Sequence, residues 1–136
     1  MRSRGAITIR LACAVLLAAL SRGAAAEWVM VSDNDEYTAY ADPATISREG
    51  DLARMTDLID LKAVGLSPEG NAHLSSRAHS QFDCATPRMR TIAFSLYAGP
   101  MGEGEAVETR GESYRWYPVA PGTLLEILRQ VACSPT

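Results

Sequence analysis

The chain has 136 residues, 47% of them hydrophobic and 21% charged, with a formal net charge of −3 at neutral pH. That length suits one small domain. The acidic balance argues against nucleic acid and anionic membrane surfaces, because both require a basic footprint.

Residues 1–26 read as a cleaved secretory signal peptide. Arg2, Arg4 and Arg10 make a basic start, Leu11 to Leu20 is an apolar run, and Ala24-Ala25-Ala26 supplies the small residues of a cleavage site. The apolar run is too short to cross a bilayer, which takes about 20 residues. Cys13 lies inside the run, preceded by Arg10-Leu11-Ala12, so it does not form a lipidation site. The expected mature domain is residues 27–136, exported to the periplasm or the medium, without a lipid anchor or membrane insertion. The leader carries four arginines and no acids, so its removal leaves 9 basic against 16 acidic side chains, a net charge of −7. Two cysteines then remain, Cys84 and Cys133, and an even number in an exported protein reads as one disulfide. A staple helps a domain this small, which buries only about two-thirds of its unfolded surface.

Glu27 to Val31 opens the mature chain with strand character, and Asp33-Asn34-Asp35-Glu36 suits a hairpin turn. Tyr37 to Ala41 resumes the strand, and Asp42-Pro43 is expected to break it, since proline offers no N–H to a ladder. Leu52 to Val64 fits two templates. Asp51 and Gly65 could bound a helix with Leu52, Met55 and Ile59 on one face. A strand would instead align Ala53, Met55, Ile59, Leu61 and Ala63, with Asp57 as the exception. Local signals alone favour the helix.

Asn71 to Cys84 alternates strictly. Ala72, Leu74, Ser76, Ala78, Ser80, Phe82 and Cys84 are small or apolar, and the residues between them are polar. Period two over this length predicts a strand with one buried and one wet face, and it puts Cys84 on the inner side. Ala85-Thr86-Pro87 leads into a second strand, Arg88 to Ala98, so the two form an antiparallel hairpin. Gly99 to Gly104 reads as a loop. Val107 to Tyr117 reads as a further strand with Gly111 at a bulge. Thr123-Leu-Leu-Glu126 is a capping box, and Leu124, Ile127, Leu128 and Val131 make the apolar stripe of a short helix that must dock to persist. Cys133 sits at its end.

With these pieces in order, the mature chain resembles the surface-adhesin protein E family. The likeness rests on Trp28, on Tyr40-Ala-Asp-Pro43 followed by Ile46-Ser-Arg48 and Gly50, and on Leu58 to Lys62. It continues through Asp83-Cys84, Arg88, Arg90, Tyr97, Met101-Gly102, Trp116, Pro121-Gly122-Thr123 and Cys133. The resemblance implies an α+β fold: one antiparallel sheet of about six strands with a C-terminal helix packed on one face and tied by the Cys84–Cys133 disulfide. It also implies that Leu52 to Val64 is a strand. The family's best-known member is a lipoprotein adhesin for host extracellular proteins, and the absent lipidation site sets this chain apart from it.

The residues do not converge on catalysis. G-x-S-x-G, a phosphate-cradling glycine loop and H-E-x-x-H are all missing. His73 and His79 share a strand face about 20 Å apart, too far for one metal. Asp33-Asn-Asp35-Glu36 lacks the glycine and distal glutamate of a calcium loop. Cys84 and His79 lie on opposite faces, and the disulfide takes the sulfur. Arg88 and Arg90 are expected to pair with carboxylates or cap the sheet edge. No enzyme activity, metal or cofactor is expected. The outer stripe Ser75, Arg77, His79 and Gln81 is the candidate contact face for other proteins, either host matrix or envelope components. Exposed edge strands would also permit a homodimer.

Overall fold

The computed structural model describes residues 26–135 apart from 112 and 114. The expected signal peptide and Cys13 lie outside the described residues, save for Ala26.

Six strands form one antiparallel meander in sequence order: β1 Val29–Asp33, β2 Tyr37–Glu49, β3 Leu52–Leu66, β4 Ala72–Asp83, β5 Arg88–Tyr97 and β6 Ala106–Arg110. A two-residue strand, β7 Tyr117–Pro118, pairs with β5, and helix α1 spans Leu124–Cys133. Every consecutive pair is joined by a short connection, the arrangement that lets each strand find its neighbour locally.

The turns form for local reasons. The Asn34 side-chain carbonyl accepts from the Glu36 and Tyr37 amides at 2.8 and 2.9 Å, which closes the β1–β2 turn. Asp42-Pro43 bends β2 without ending it. The pairing with β3 shifts register between Asp42 and Ser47, and Pro43 is exposed at the resulting bulge, where its missing N–H breaks no ladder bond. Thr45 secures the bulge: its hydroxyl donates to the Asp42 carbonyl at 2.7 Å and accepts the Thr56 N–H at 2.9 Å. Leu52 to Leu66 is a strand, because β2 and β4 pair with both of its edges and satisfy its backbone from two sides. The expected strand from Val107 to Tyr117 is shorter and divided. It stops at Arg110 and resumes at Tyr117, with the Ser113 amide still bonded to the Thr91 carbonyl at 2.8 Å.

One face of the sheet carries the core. Ala41, Ala53, Met55, Phe82 and Met89 pack against Val119, Leu128 and Ala132, with Cys84, Leu124, Val131 and Cys133 at the margin. The helix start keeps the threonine half of the capping box, while the glutamate reaches one residue further back than that box prescribes. The Thr123 hydroxyl accepts from the Glu126 amide, and the Glu126 carboxylate accepts the Gly122 N–H at 2.6 Å. Cys84 and Cys133 are bonded, with their Cα atoms 5.7 Å apart. Arg129 adds a polar tie beside the sulfurs, donating to the Asp83 and Cys84 carbonyls at 2.8 and 3.1 Å. The helix is thus fastened where β4 ends, and it covers only one face.

Candidate functional site

Antiparallel pairing keeps opposed residues on one face, so the register defines the helix-free surface. One row crosses β1 to β5 as Met30, Tyr40, Leu58, Arg77 and Ser95. A lower row holds Arg54, Gln81 and Arg90, and the next holds Leu52, Asp83 and Arg88. His79 stands between the Arg77 and Gln81 positions, opposite Thr56.

Upper and lower parts of this face differ. At the top, the segment after β5 folds back over the sheet as a 3-10 turn, Pro100–Gly102. The Asp60 carboxylate accepts the Met101 N–H at 2.8 Å. The Ser75 hydroxyl donates to the Gly99 carbonyl at 2.7 Å and accepts the Gly102 N–H at 2.8 Å. Two successive residues there take the left-handed conformation, Met101 at φ 54° and Gly102 at φ 72°. Glycine is required at 102 because a Cβ would stand 3.2 Å from both Leu58 Cδ1 and the Arg77 guanidinium. Leu58 is fully buried beneath this turn. Arg77 lies between Trp28 and Tyr97, its guanidinium carbon 5.7 Å from each ring centroid.

The expected contact stripe is therefore only partly on the surface. Arg77 is exposed and His79 half-exposed. Ser75 has no exposed surface and Gln81 only 5%. The alternation in β4 is real, but its polar side is not uniformly wet. Ser75 holds the turn in place, and the Gln81 carbonyl accepts from Arg90 Nε at 2.7 Å. Ser75→Ala is expected to leave the Gly102 amide without its acceptor, at a cost of about 2 kcal/mol. Urea unfolding, with faster amide exchange at Gly102, checks this.

Below the turn the face is cationic. Trp116 is a shared platform, with the Arg88 and Arg90 guanidinium carbons 4.4 and 4.8 Å from its ring centroid. Arg88 also pairs with Asp83 at 2.9 Å, as expected of it, whereas Arg90 is bonded to a neutral amide. Asp83 accepts amide bonds from Thr86 and Ala85 as well. Those bonds and Arg88 hold its carboxyl below the ordinary range. Burial and the Arg54 charge both lower the pKa of His79, and its ring nitrogen meets the Thr56 hydroxyl at 3.0 Å. Sequence reasoning missed Arg54 and Trp116 as parts of this surface. Arg54 was obscured by the helix alternative for its segment, and Trp116 reaches the arginines only through the β5–β7 pairing.

Among the described residues no group of three or more His, Cys, Asp and Glu side chains could hold a metal. His73 and His79 face different partners, His73 meeting the Asn71 carbonyl at 3.2 Å. No helix among the described residues is long and apolar enough to cross a membrane. A small cavity of about 280 Å³ lies at the β5–β6 edge, lined by Thr91, Phe94, Arg110, Gly111, Ser113 and Tyr117, and it brings no nucleophile together with a base.

The family model described as surface-adhesin protein E matches residues 28–134, nearly the whole described chain. This chain belongs to the surface-adhesin protein E family. Its fold is also that of solved Haemophilus influenzae protein E. One such structure is 18% identical with a TM-score of 0.59, covering 78% of this chain and 83% of that one. A second crystal form is 16% identical with a TM-score of 0.58, covering 76% and 91%. Protein E from non-typeable Haemophilus influenzae gives 16% identity and a TM-score of 0.54, covering 79% and 84%. No curated protein sequence matches the chain. At such identities the likeness establishes the fold, and within that adhesin E fold the arginine surface described above is a property of this chain's own residues.

Proposed function

We propose that this adhesin E family member is an exported, non-catalytic binding module that engages other proteins through the helix-free face of its sheet. It would act in the periplasm or the medium after removal of residues 1–26. The observation that carries the reading is an asymmetry between the two faces. One face is closed by α1 and its disulfide. The other presents the exposed side chains of Arg54 and Arg77, neither in an ion pair among the described residues. Solvated guanidinium groups on a face that also carries aromatic side chains are a common composition for a protein contact surface, in which arginine and aromatic residues are enriched.

The test places a photo-crosslinking residue at Arg77 and, as a control, at Gln130 on the exposed side of α1. The oxidised exported protein is then exposed to host matrix proteins and to envelope extract. Crosslinks to a defined protein from position 77 and not from position 130 are expected. Crosslinking confined to position 130, or equal at the two positions, would turn the reading against the sheet face.

A further inference from the structure

We infer that the helix-free face recognises an acidic, extended peptide segment of its partner through Arg54, Arg77 and Arg90. This rests on the sheet-face reading above and adds the chemistry of what is bound.

This acidic protein carries few positive charges, and their placement is uneven. Four of the nine basic residues of the mature chain are engaged elsewhere. Lys62 pairs with Asp33, Arg110 with Glu69 and Glu108, Arg129 with the Asp83 and Cys84 carbonyls, and Arg48 with the Gly50 and Cys133 carbonyls. Arg54, Arg77, Arg88 and Arg90 all share the helix-free face. Of these only Arg88 has a carboxylate partner among the described residues. The acids on that face do not neutralise the other three. Asp83 is held by Arg88 and two amides, and Asp60 accepts the Met101 amide. Asp42 is buried and accepts the Ala44 amide, Asp33 pairs with Lys62, and Glu49 lies at the rim opposite Leu52. The ninth basic residue, Arg115, lies against the Tyr117 ring before β7. An acidic chain therefore places three guanidinium groups without a carboxylate partner among the described residues on one face. The charge that complements them is negative.

The arginines are also held ready. Arg90 stacks on Trp116 and gives Nε to Gln81, which leaves its two terminal nitrogens in the plane that a carboxylate approaches. Arg77 is steadied by Trp28 and Tyr97. Fixing these long side chains beforehand reduces the rotamer entropy lost on binding.

Spacing and surroundings favour a peptide over a polysaccharide. Arg54 and Arg90 are two strands apart, about 10 Å, and Arg77 lies four residues along β4 from their row, about 13 Å. An extended peptide places same-facing side chains at i and i+4 about 13 Å apart. At the β1 end of the row that holds Arg77, three strands and about 14 Å away, Met30 is 60% exposed. An apolar residue flanking the acids would cover it, which a sulfated sugar chain cannot do.

Fluorescence anisotropy of the oxidised exported protein tests this. The probe is a labelled peptide with glutamates at i and i+4 followed by a leucine, compared with its glutamine counterpart and with heparin. The acidic peptide is expected to bind and to weaken at least tenfold between 50 and 300 mM salt, roughly as screening of a few charge pairs requires. Arg54→Gln and Arg90→Gln should each weaken it about tenfold, a loss of one charge-assisted contact. Far-UV dichroism and an intact disulfide confirm the fold of each variant. Equal binding of the glutamine peptide, equal binding by the arginine variants, or heparin binding without peptide binding would overturn the inference. Position-77 crosslinking to a protein that the acidic peptide does not displace would overturn it too, while leaving the sheet-face reading standing.

Discussion

Replacing Cys84 and Cys133 together by serine is expected to lower the unfolding free energy by about 4 kcal/mol in the chain-entropy model. The two cysteines are 49 residues apart, so the bond closes a loop that includes β5, β6, β7 and all of α1. In the unfolded chain that loop restricts conformations, and this restriction is what the double variant releases. A second effect falls on the folded side. The helix has ten residues, below the length at which helices persist in water, and it buries only Leu128 and Ala132 fully. Its remaining ties are the Arg129 bonds to the end of β4 and the Arg48 bond to the Cys133 carbonyl at 3.3 Å. Loss of the bond should therefore also loosen α1 locally. Guanidinium unfolding of the wild type with and without reductant, beside the double variant, measures the first effect. Amide exchange in Leu124–Cys133 measures the second. A double variant within 1 kcal/mol of the wild type would show that packing alone holds the helix.

How far the chain could be read in advance depended on the range of the forces involved. Signals carried by neighbouring residues were legible. The Asn34 turn, the Thr123–Glu126 cap and the period-two pattern of β4 all appear in the structure. The cysteine pair was legible from number and compartment. What could not be read came from distant segments. Leu52 to Leu66 carries helical spacing, and only the strands on both of its sides decide otherwise. The polar side of β4 looks uniformly solvated until residues 99–102 arrive and bury Ser75. Asp42-Pro43 looks like a strand end, yet the Thr45 hydroxyl carries the pairing across the bulge. The candidate surface was half visible for the same reason: Arg77 and His79 follow from alternation, whereas Arg54, Arg90 and Trp116 join them only through register and the β5–β7 pairing.

Asp57 was the one polar residue interrupting the apolar side of its strand, and the structure makes that exception the most pH-sensitive feature of the fold. It is 6% exposed, on the same face as Met55 and the helix. Its cross-strand neighbours are Ala41 and Ala78, and Met55 and Ile59 flank it along β3, so no charged group adjoins it; Arg110, three strands along the same row, pairs with Glu69 and Glu108. Burial raises its pKa from 3.8 to about 7. A carboxyl raised in this way binds a proton more readily folded than unfolded, so its effect on stability runs opposite to that of a salt-bridged acid. Below about pH 4 both states are protonated and there is no cost. As pH rises towards 7 the unfolded state has ionised and the folded state resists, so stability falls, by a total on the order of 4 kcal/mol. His79, lowered by burial and Arg54, contributes the reverse slope as pH falls through its ordinary range, and Asp33, Asp83 and Glu108, all lowered, lose stability only at more acid pH. These four contributions are common to the wild type and an Asp57→Asn variant, so the difference between the two isolates Asp57. The variant is expected to match the wild type near pH 4 and to exceed it by roughly 1–3 kcal/mol at pH 8, less than the full ionisation cost because the amide is itself a buried polar group. Urea unfolding at half-unit steps from pH 4 to pH 8 measures that difference. A flat difference across the range would show that Asp57 ionises in the folded protein as freely as it does in water.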